Sequence, residues 1–245
     1  MNNDPAQRLV AHRGYRRRYP ENTLLAHQQA IAAGARYIET DILLSADLQP
    51  VLYHDDTLNR VSGRRGRIFD FSLEQLKKIP AHEPARLGER FQDERIAPLS
   101  ALVTLLEAAP EITAFIEIKE EAIAFAGKER CYAAVAAVLE PVANQCVMIS
   151  FDFEFMLYAR RQGWQRCGVV LNHWRDLEQP GVIATKPEVI FCNWRKIPRN
   201  ANFDSIPGQL VVYEIARANH ARKWLQRGAG MVETFDIGNM LKKLT

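Results

Sequence analysis

Four short polar runs stand at the ends of apolar, strand-like segments: Ala11-His12-Arg13-Gly14, Glu39-Thr40-Asp41, His54-Asp55 and Glu117-Ile118-Lys119. Together they supply two imidazoles, two fixed cations and four carboxylates, of which Glu39, Asp41 and Glu117 are spaced along strands. The chemistry such a set suits is to hold a divalent metal against a phosphate ester while protons move on and off its oxygens. A core has no use for so many ionisable groups, because unpaired buried charge is costly.

Side chains alternate along a strand, so Glu39 and Asp41 share one face and Thr40 takes the other. Two carboxylates that close repel unless a cation lies between them, and a hard ion such as Mg2+ or Ca2+ is the natural filler. Glu117 repeats the logic on another strand, with Lys119 on its own face. The competing reading is a buried ion-pair network of Glu39, Asp41, Lys119 and Arg13 that merely braces the strands. His12 and His54 are the expected general base and general acid, since imidazole titrates near neutrality. His27, His82, His173 and His220 fall on helices or loops and are assigned no role. Arg13 offers a planar fork for phosphate oxygens, and Glu21 is placed to fix its direction. Arg16-Arg17-Arg18 reads as a solvated loop that can also draw anions.

The elements that must position these groups alternate strand with helix. Strands are expected at residues 8–12, 37–44, 114–119, 146–150, 167–171, 188–192, 210–215 and 231–234, with 50–54 a hairpin-like extension. Helices are expected at 23–33, 100–109, 129–140, 154–162 and 219–227, the first capped by Asn22 and stopped by Gly34. Eight strand–helix repeats in 245 residues predict an α/β fold, a (β/α)8 TIM barrel. An open doubly wound sheet is the alternative. The early first strand, the late last strand and the polar residues at C-terminal strand ends favour the barrel. Residues 63–96, rich in Arg, Glu, Gly and Pro with one helical piece near 72–78, read as a small insertion between the second and third repeats. One barrel domain over 1–245 is expected.

With 47% hydrophobic residues the chain can bury a sizeable core, and a net charge of +3 fits anionic small substrates better than nucleic acid. Cys131, Cys146, Cys167 and Cys192 lack zinc or redox spacing and read as buried hydrophobes in a reducing compartment. No apolar run is long enough to span a bilayer and no signal peptide precedes the first strand, so a soluble cytoplasmic protein is expected.

The same residues resemble the glycerophosphodiester phosphodiesterases. The match runs through Ala11-His12-Arg13-Gly14, Pro20-Glu21-Asn22-Thr23, Glu39-Thr40-Asp41, His54-Asp55 with Leu58 and Arg60, Glu117-Ile118-Lys119 and Ser150-Phe151, and thins beyond about residue 155. The resemblance implies a (β/α)8 barrel with an insertion after the second strand, one divalent metal held by Glu39, Asp41 and Glu117, His12 and His54 as the acid–base pair, and Arg13 and Lys119 on the phosphate. It implies hydrolysis of glycerophosphodiesters to an alcohol and glycerol 3-phosphate. The Trp-Thr-Val-Asn usual near the seventh strand is Tyr213-Glu214-Ile215-Ala216 here, so Tyr213 becomes the expected aromatic wall of the pocket and Glu214 a charge without an assigned place. The usual Thr-Asp near the last strand becomes Thr234-Phe235, with Asp236 one position later. These departures touch substrate identity, leaving a lysophospholipid or other larger phosphodiester as the second enzymatic reading and a non-catalytic phosphodiester binder as a third. No nucleic-acid partner is expected, and the oligomeric state is left open.

Overall fold

The computed structural model describes residues 7–204 and 206–244. Its strands are β1 (Leu9–His12), β2 (Tyr37–Leu44), β3 (Pro50–Leu52), β4 (Thr113–Ile118), β5 (Cys146–Ile149), β6 (Gly168–Leu171), β7 (Val189–Asn193), β8 (Gln209–Tyr213) and β9 (Met231–Thr234). Eight of them form a parallel sheet in the order β5-β4-β2-β1-β9-β8-β7-β6, and β3 folds back antiparallel on β2. The sheet curls until its two edge strands meet. Met148 bridges Cys167, the Met148 amide donates to the Arg166 carbonyl at 2.9 Å, and that of Val170 donates to the Ser150 carbonyl at 2.9 Å. The expected (β/α)8 barrel is therefore the observed one.

Two apolar layers follow from strand alternation. Val10, Phe115, Val147, Ile149, Val170, Val189, Phe191, Val211 and Met231 pack together inside the barrel. Their strand neighbours, Leu9, Ala11, Ile38, Ile116, Met148, Val169, Ile190, Val212 and Val232, join the larger core beneath the helices. One residue further along the inward face at the C-terminal end, the apolar layer gives way to His12, Glu39, Glu117, Tyr213 and Glu233.

The insertion has no separate core. Ile68, Leu76, Ile79, Ala81 and Ile96 are buried in the barrel's own outer core, and its helices are short pieces such as Leu73–Leu76 and Pro84–Leu87. Two expectations shift. The strand drawn to His54 ends at Leu52, so His54 stands on a loop. The first helix, Leu24–Ala32, is capped by Thr23, whose hydroxyl accepts from the Ala26 amide, because Asn22 is engaged elsewhere. The four cysteines are free and buried.

Candidate active site

Register brings the charged groups together. His12 on β1 pairs with Glu39 on β2, and Asp41 further along β2 pairs with Glu117 on β4. Neighbouring strands lie about 4.8 Å apart, so residues in register on the inward face have side chains in reach of each other. One oxygen each from Glu39, Asp41 and Glu117 falls within 4.8 Å of the others.

The loop after β1 turns sharply to aim Arg13. Gly14 has φ 75°, and a Cβ there would lie 2.6 Å from the Ala26 carbonyl carbon, so only glycine fits. Arg13 and Asn22 both take φ 54°, a conformation that costs a non-glycine residue roughly 1–3 kcal/mol unless its surroundings impose it. They are imposed here. The Arg13 amide donates to Glu39 Oε2 at 3.0 Å, and its guanidinium reaches Asp41 Oδ2 at 2.9 Å and Glu21 Oε1 at 3.0 Å. Asn22 Nδ2 donates to Asp41 Oδ2 at 2.9 Å, while its Oδ1 accepts from the Thr40 hydroxyl at 2.8 Å. Glu21 was expected to steady Arg13 and does more: Arg16 contacts it at 2.6 Å and Arg60 at 2.7 Å. Glu83, from the insertion, accepts the Glu21 amide at 2.8 Å. Arg16 thus leaves the solvated loop in which the sequence placed it.

The carboxylates are unequal. Burial pushes Asp41 up, but the guanidinium of Arg13 and the charges of His54 and Lys119 outweigh it and hold it far below the usual range. Glu39 is pushed well up by burial and by the neighbouring charges of Asp41, Glu233 and Glu117. Glu117 is also raised by burial, although Lys119 donates to it at 2.8 Å. Mutual repulsion of this kind is what a bound cation relieves. Among the described residues Glu39 Oε1 has no hydrogen-bond partner. Hard oxygen donors, close approach and an unsatisfied buried oxygen fit a divalent ion.

His12 is buried and stacks on Phe235 with 4.6 Å between ring centroids. Its Nε2 lies 3.7 Å from Glu39, and its Nδ1 lies 3.6 Å from Glu233 and 3.8 Å from Glu214. Burial, then the charge of Arg13, pushes it well below the ordinary imidazole value. His54 is more open. Its Nδ1 lies 2.5 Å from Asp55 Oδ1, and Arg60 grips both Asp55 oxygens at 2.7 and 2.8 Å.

These groups border one cavity of about 180 Å3. His12, Arg13, Glu39, His54, Glu117 and Lys119 form its charged wall; Phe151, Phe191 and Tyr213 form its aromatic wall, with Glu214 and Glu233 between. Of the catalytic, metal-holding and substrate-binding candidates named from sequence, His12, His54, Arg13, Lys119, Tyr213, Glu39, Asp41 and Glu117, Asp41 alone is absent from the lining and belongs to the carboxylate cluster. Glu214, unplaced by sequence, faces the cavity. Glu233 was missed, although the alternation that pairs Glu39 with Asp41 also sets it on the inward face two residues after Met231. Phe235 was noted only as a departure, and no local pattern marks it as the ring beneath His12.

A parallel (β/α)8 barrel with clustered carboxylates, two histidines and two cations at the C-terminal mouth has the donor set that could hold a metal ion beside an anionic ligand. Residues 12–167 match the sequence profile of the Glycerophosphoryl diester phosphodiesterase family. The chain belongs to that family. It is 35% identical over 165 residues to mouse Glycerophosphodiester phosphodiesterase 1, covering 67% of this chain and 48% of that protein. It is 36% identical over 121 residues to the glycerophosphodiester phosphodiesterase of Caldanaerobacter subterraneus subsp. tengcongensis, 49% of each chain. The chain therefore spans about half the length of the curated relatives it matches. In fold it resembles an Oleispira antarctica phosphodiesterase solved with the product sn-glycerol-3-phosphate, at TM-score 0.83 and 22% identity over 96% of this chain and 95% of that one. The glycerophosphodiester phosphodiesterase of Thermotoga maritima superposes at TM-score 0.72 with 23% identity, over 96% and 97%.

Proposed function

We propose that this chain, working as a single barrel, hydrolyses glycerophosphodiesters to an alcohol and sn-glycerol 3-phosphate with the help of one divalent ion, Mg2+ or Ca2+. The observation that carries the reading is the convergence of two histidines, two cations and clustered carboxylates on one small cavity. Family membership supports it, as does the product bound in the Oleispira antarctica relative of the fold.

Glu39, Asp41 and Glu117 would hold the ion, which when bound neutralises charge on the phosphate oxygens. Arg13 and Lys119 share that charge from fixed positions, Arg13 steadied by Glu21 and Lys119 by Glu117. His12, held flat against Phe235, is the base that takes a proton from the attacking group, either water or the substrate's own glycerol hydroxyl, water in the second case then opening the cyclic phosphate. His54, with Nδ1 engaged by Asp55, keeps Nε2 for the leaving alcohol and acts as the acid. Tyr213 walls the glycerol. The rival substrate, a lysophospholipid, calls for an apolar rim on the insertion; Phe69, Phe71, Leu73 and Leu76 instead pack against the barrel core. That favours a small head group. Among the described residues no helix is long and apolar enough to cross a membrane, and the four free buried cysteines suit the cytoplasm.

The test is release of glycerol 3-phosphate from glycerophosphocholine, glycerophosphoethanolamine and glycerophosphoglycerol, with Mg2+ or Ca2+ and again with a chelator. Release that the chelator abolishes is expected. No release with either metal overturns the proposal.

A further inference from the structure

A second cavity, of about 290 Å3, is lined by Arg16, Arg17, Arg86 and Arg217 with Phe235 and Asp236. These residues come from the loops after β1, β8 and β9 and from the insertion, at the same barrel end as the catalytic groups. Two of the four arginines are committed. Arg86 pairs with Glu83 and donates to the carbonyls of Arg16 and Tyr19 at 2.6 and 2.8 Å, and Arg16 pairs with Glu21. Asp236 is engaged by the Asn239 amide at 3.0 Å. Arg17 and Arg217 are exposed, and among the described residues neither has an acidic ion-pair partner. Nor does the helix Ala218–Gln226, which starts beside Arg217, place an acidic residue in its first turn.

Two exposed guanidiniums against the single carboxylate of Asp236 leave this concavity with an excess of positive charge, and their planar forks match phosphate oxygens. Phe235 ties this cavity to the catalytic one. Its ring centroid is 4.6 Å from that of His12 and 4.3 Å from the Arg16 guanidinium carbon, so one ring is shared by the imidazole and the arginine wall.

We propose that Arg17 and Arg217 form a subsite for a second phosphate of the substrate. The preferred substrate is then a glycerophosphodiester whose alcohol is itself a phosphorylated polyol, over those with uncharged or cationic alcohols. This rests on the hydrolytic reading above.

The experiment compares glycerophosphoglycerol with the same compound phosphorylated on its terminal hydroxyl, using the wild-type chain and an Arg17→Ala/Arg217→Ala variant. Both positions are on the surface, so the variant folds. In the wild type the phosphorylated diester should show a KM about tenfold lower, the worth of a charge-assisted contact, and the gap should shrink as salt rises. The variant should lose the preference and keep its rate on glycerophosphoglycerol. Equal KM values in the wild type, or a preference that survives in the variant, overturn the subsite. If neither diester is hydrolysed, the hydrolytic reading fails and calorimetric binding of the same two compounds decides the subsite alone. Tighter binding of the phosphorylated one, lost in the variant, upholds it; equal binding, or a preference the variant retains, overturns it.

Discussion

The imidazole of His12 and the ring of Phe235 lie face to face, 4.6 Å apart with 11° between their planes. Three carboxylates surround that imidazole within 3.8 Å, yet among the described residues its Nδ1 makes no hydrogen bond. The aromatic face is therefore the main thing that fixes the plane of the ring. An aromatic pair of this kind contributes about 0.5–1.5 kcal/mol beyond its area, and misplacing a reacting group costs rate before it costs binding. Phe235→Leu should lower kcat on a glycerophosphodiester about tenfold while KM moves less than about threefold. Steady-state kinetics measures both. An unchanged kcat would show that the carboxylates alone orient His12.

His54 is oriented differently, by a carboxylate that is itself clamped. Asp55 is held well below the ordinary carboxylate range: burial would raise it, but the hydrogen bonds from His54 and Arg60 outweigh that. The clamped carboxylate fixes the direction of the His54 ring through Nδ1. His54→Ala should reduce turnover by roughly two to four orders of magnitude. Asp55→Asn keeps the imidazole but removes the charge and should cost less, about tenfold. A His54→Ala enzyme near the wild-type rate would remove the acid role.

Much of this was legible before any coordinates. Period-two alternation placed Glu39 with Asp41 and Glu117 with Lys119, and the count of strands gave the barrel, because both follow from local rules. Pairwise register, His12 to Glu39 and Asp41 to Glu117, depends on barrel closure and could only be seen in three dimensions. Asn22 shows the limit of local reading. Its type and place before a helix suggest a cap, but tertiary contact with Asp41 and Thr40 claims its side chain, and Thr23 caps instead. Glu21 was read as a partner of Arg13 alone, since nothing in sequence connects it with Arg60 or with Glu83 in the insertion.

The carboxylate cluster predicts a measurable dependence on metal beyond activity. A ligand that binds only the folded state at a hundred times its Kd stabilises it by about 2.7 kcal/mol. For a chain of this size that corresponds to a rise in Tm of roughly 5–10 °C. Adding Mg2+ or Ca2+ to chelator-treated protein should raise Tm by that much, and Asp41→Asn or Glu39→Gln should abolish the rise. Scanning calorimetry with and without the ion checks it. A Tm indifferent to both metals would mean that these three carboxylates form a structural network instead.

Glu21 predicts how the fold responds to acid. It is 1% exposed among Arg13, Arg16 and Arg60. Burial works against its charge, but the hydrogen bonds from Arg60 and the charges of Arg13 and Arg16 prevail and lower its pKa from 4.5 to about 2. A carboxyl whose folded value lies below its unfolded one contributes stability that is fully present above pH 4.5 and is lost as pH falls through about 2. The size of the contribution is about 3 kcal/mol. Glu21→Gln should therefore be destabilised by about that amount at pH 7, and more if the three guanidiniums left without a counter-charge repel strongly. Between pH 4.5 and 2 the variant should lose stability less steeply than the wild type, so the two curves converge in acid. Urea unfolding midpoints measured from pH 7 down to about pH 3 follow that convergence. Parallel curves would mean that Glu21 holds its proton equally in the folded and unfolded chain, and Arg13 and Arg60 would then be held by Asp41, Asp55 and Glu83 instead.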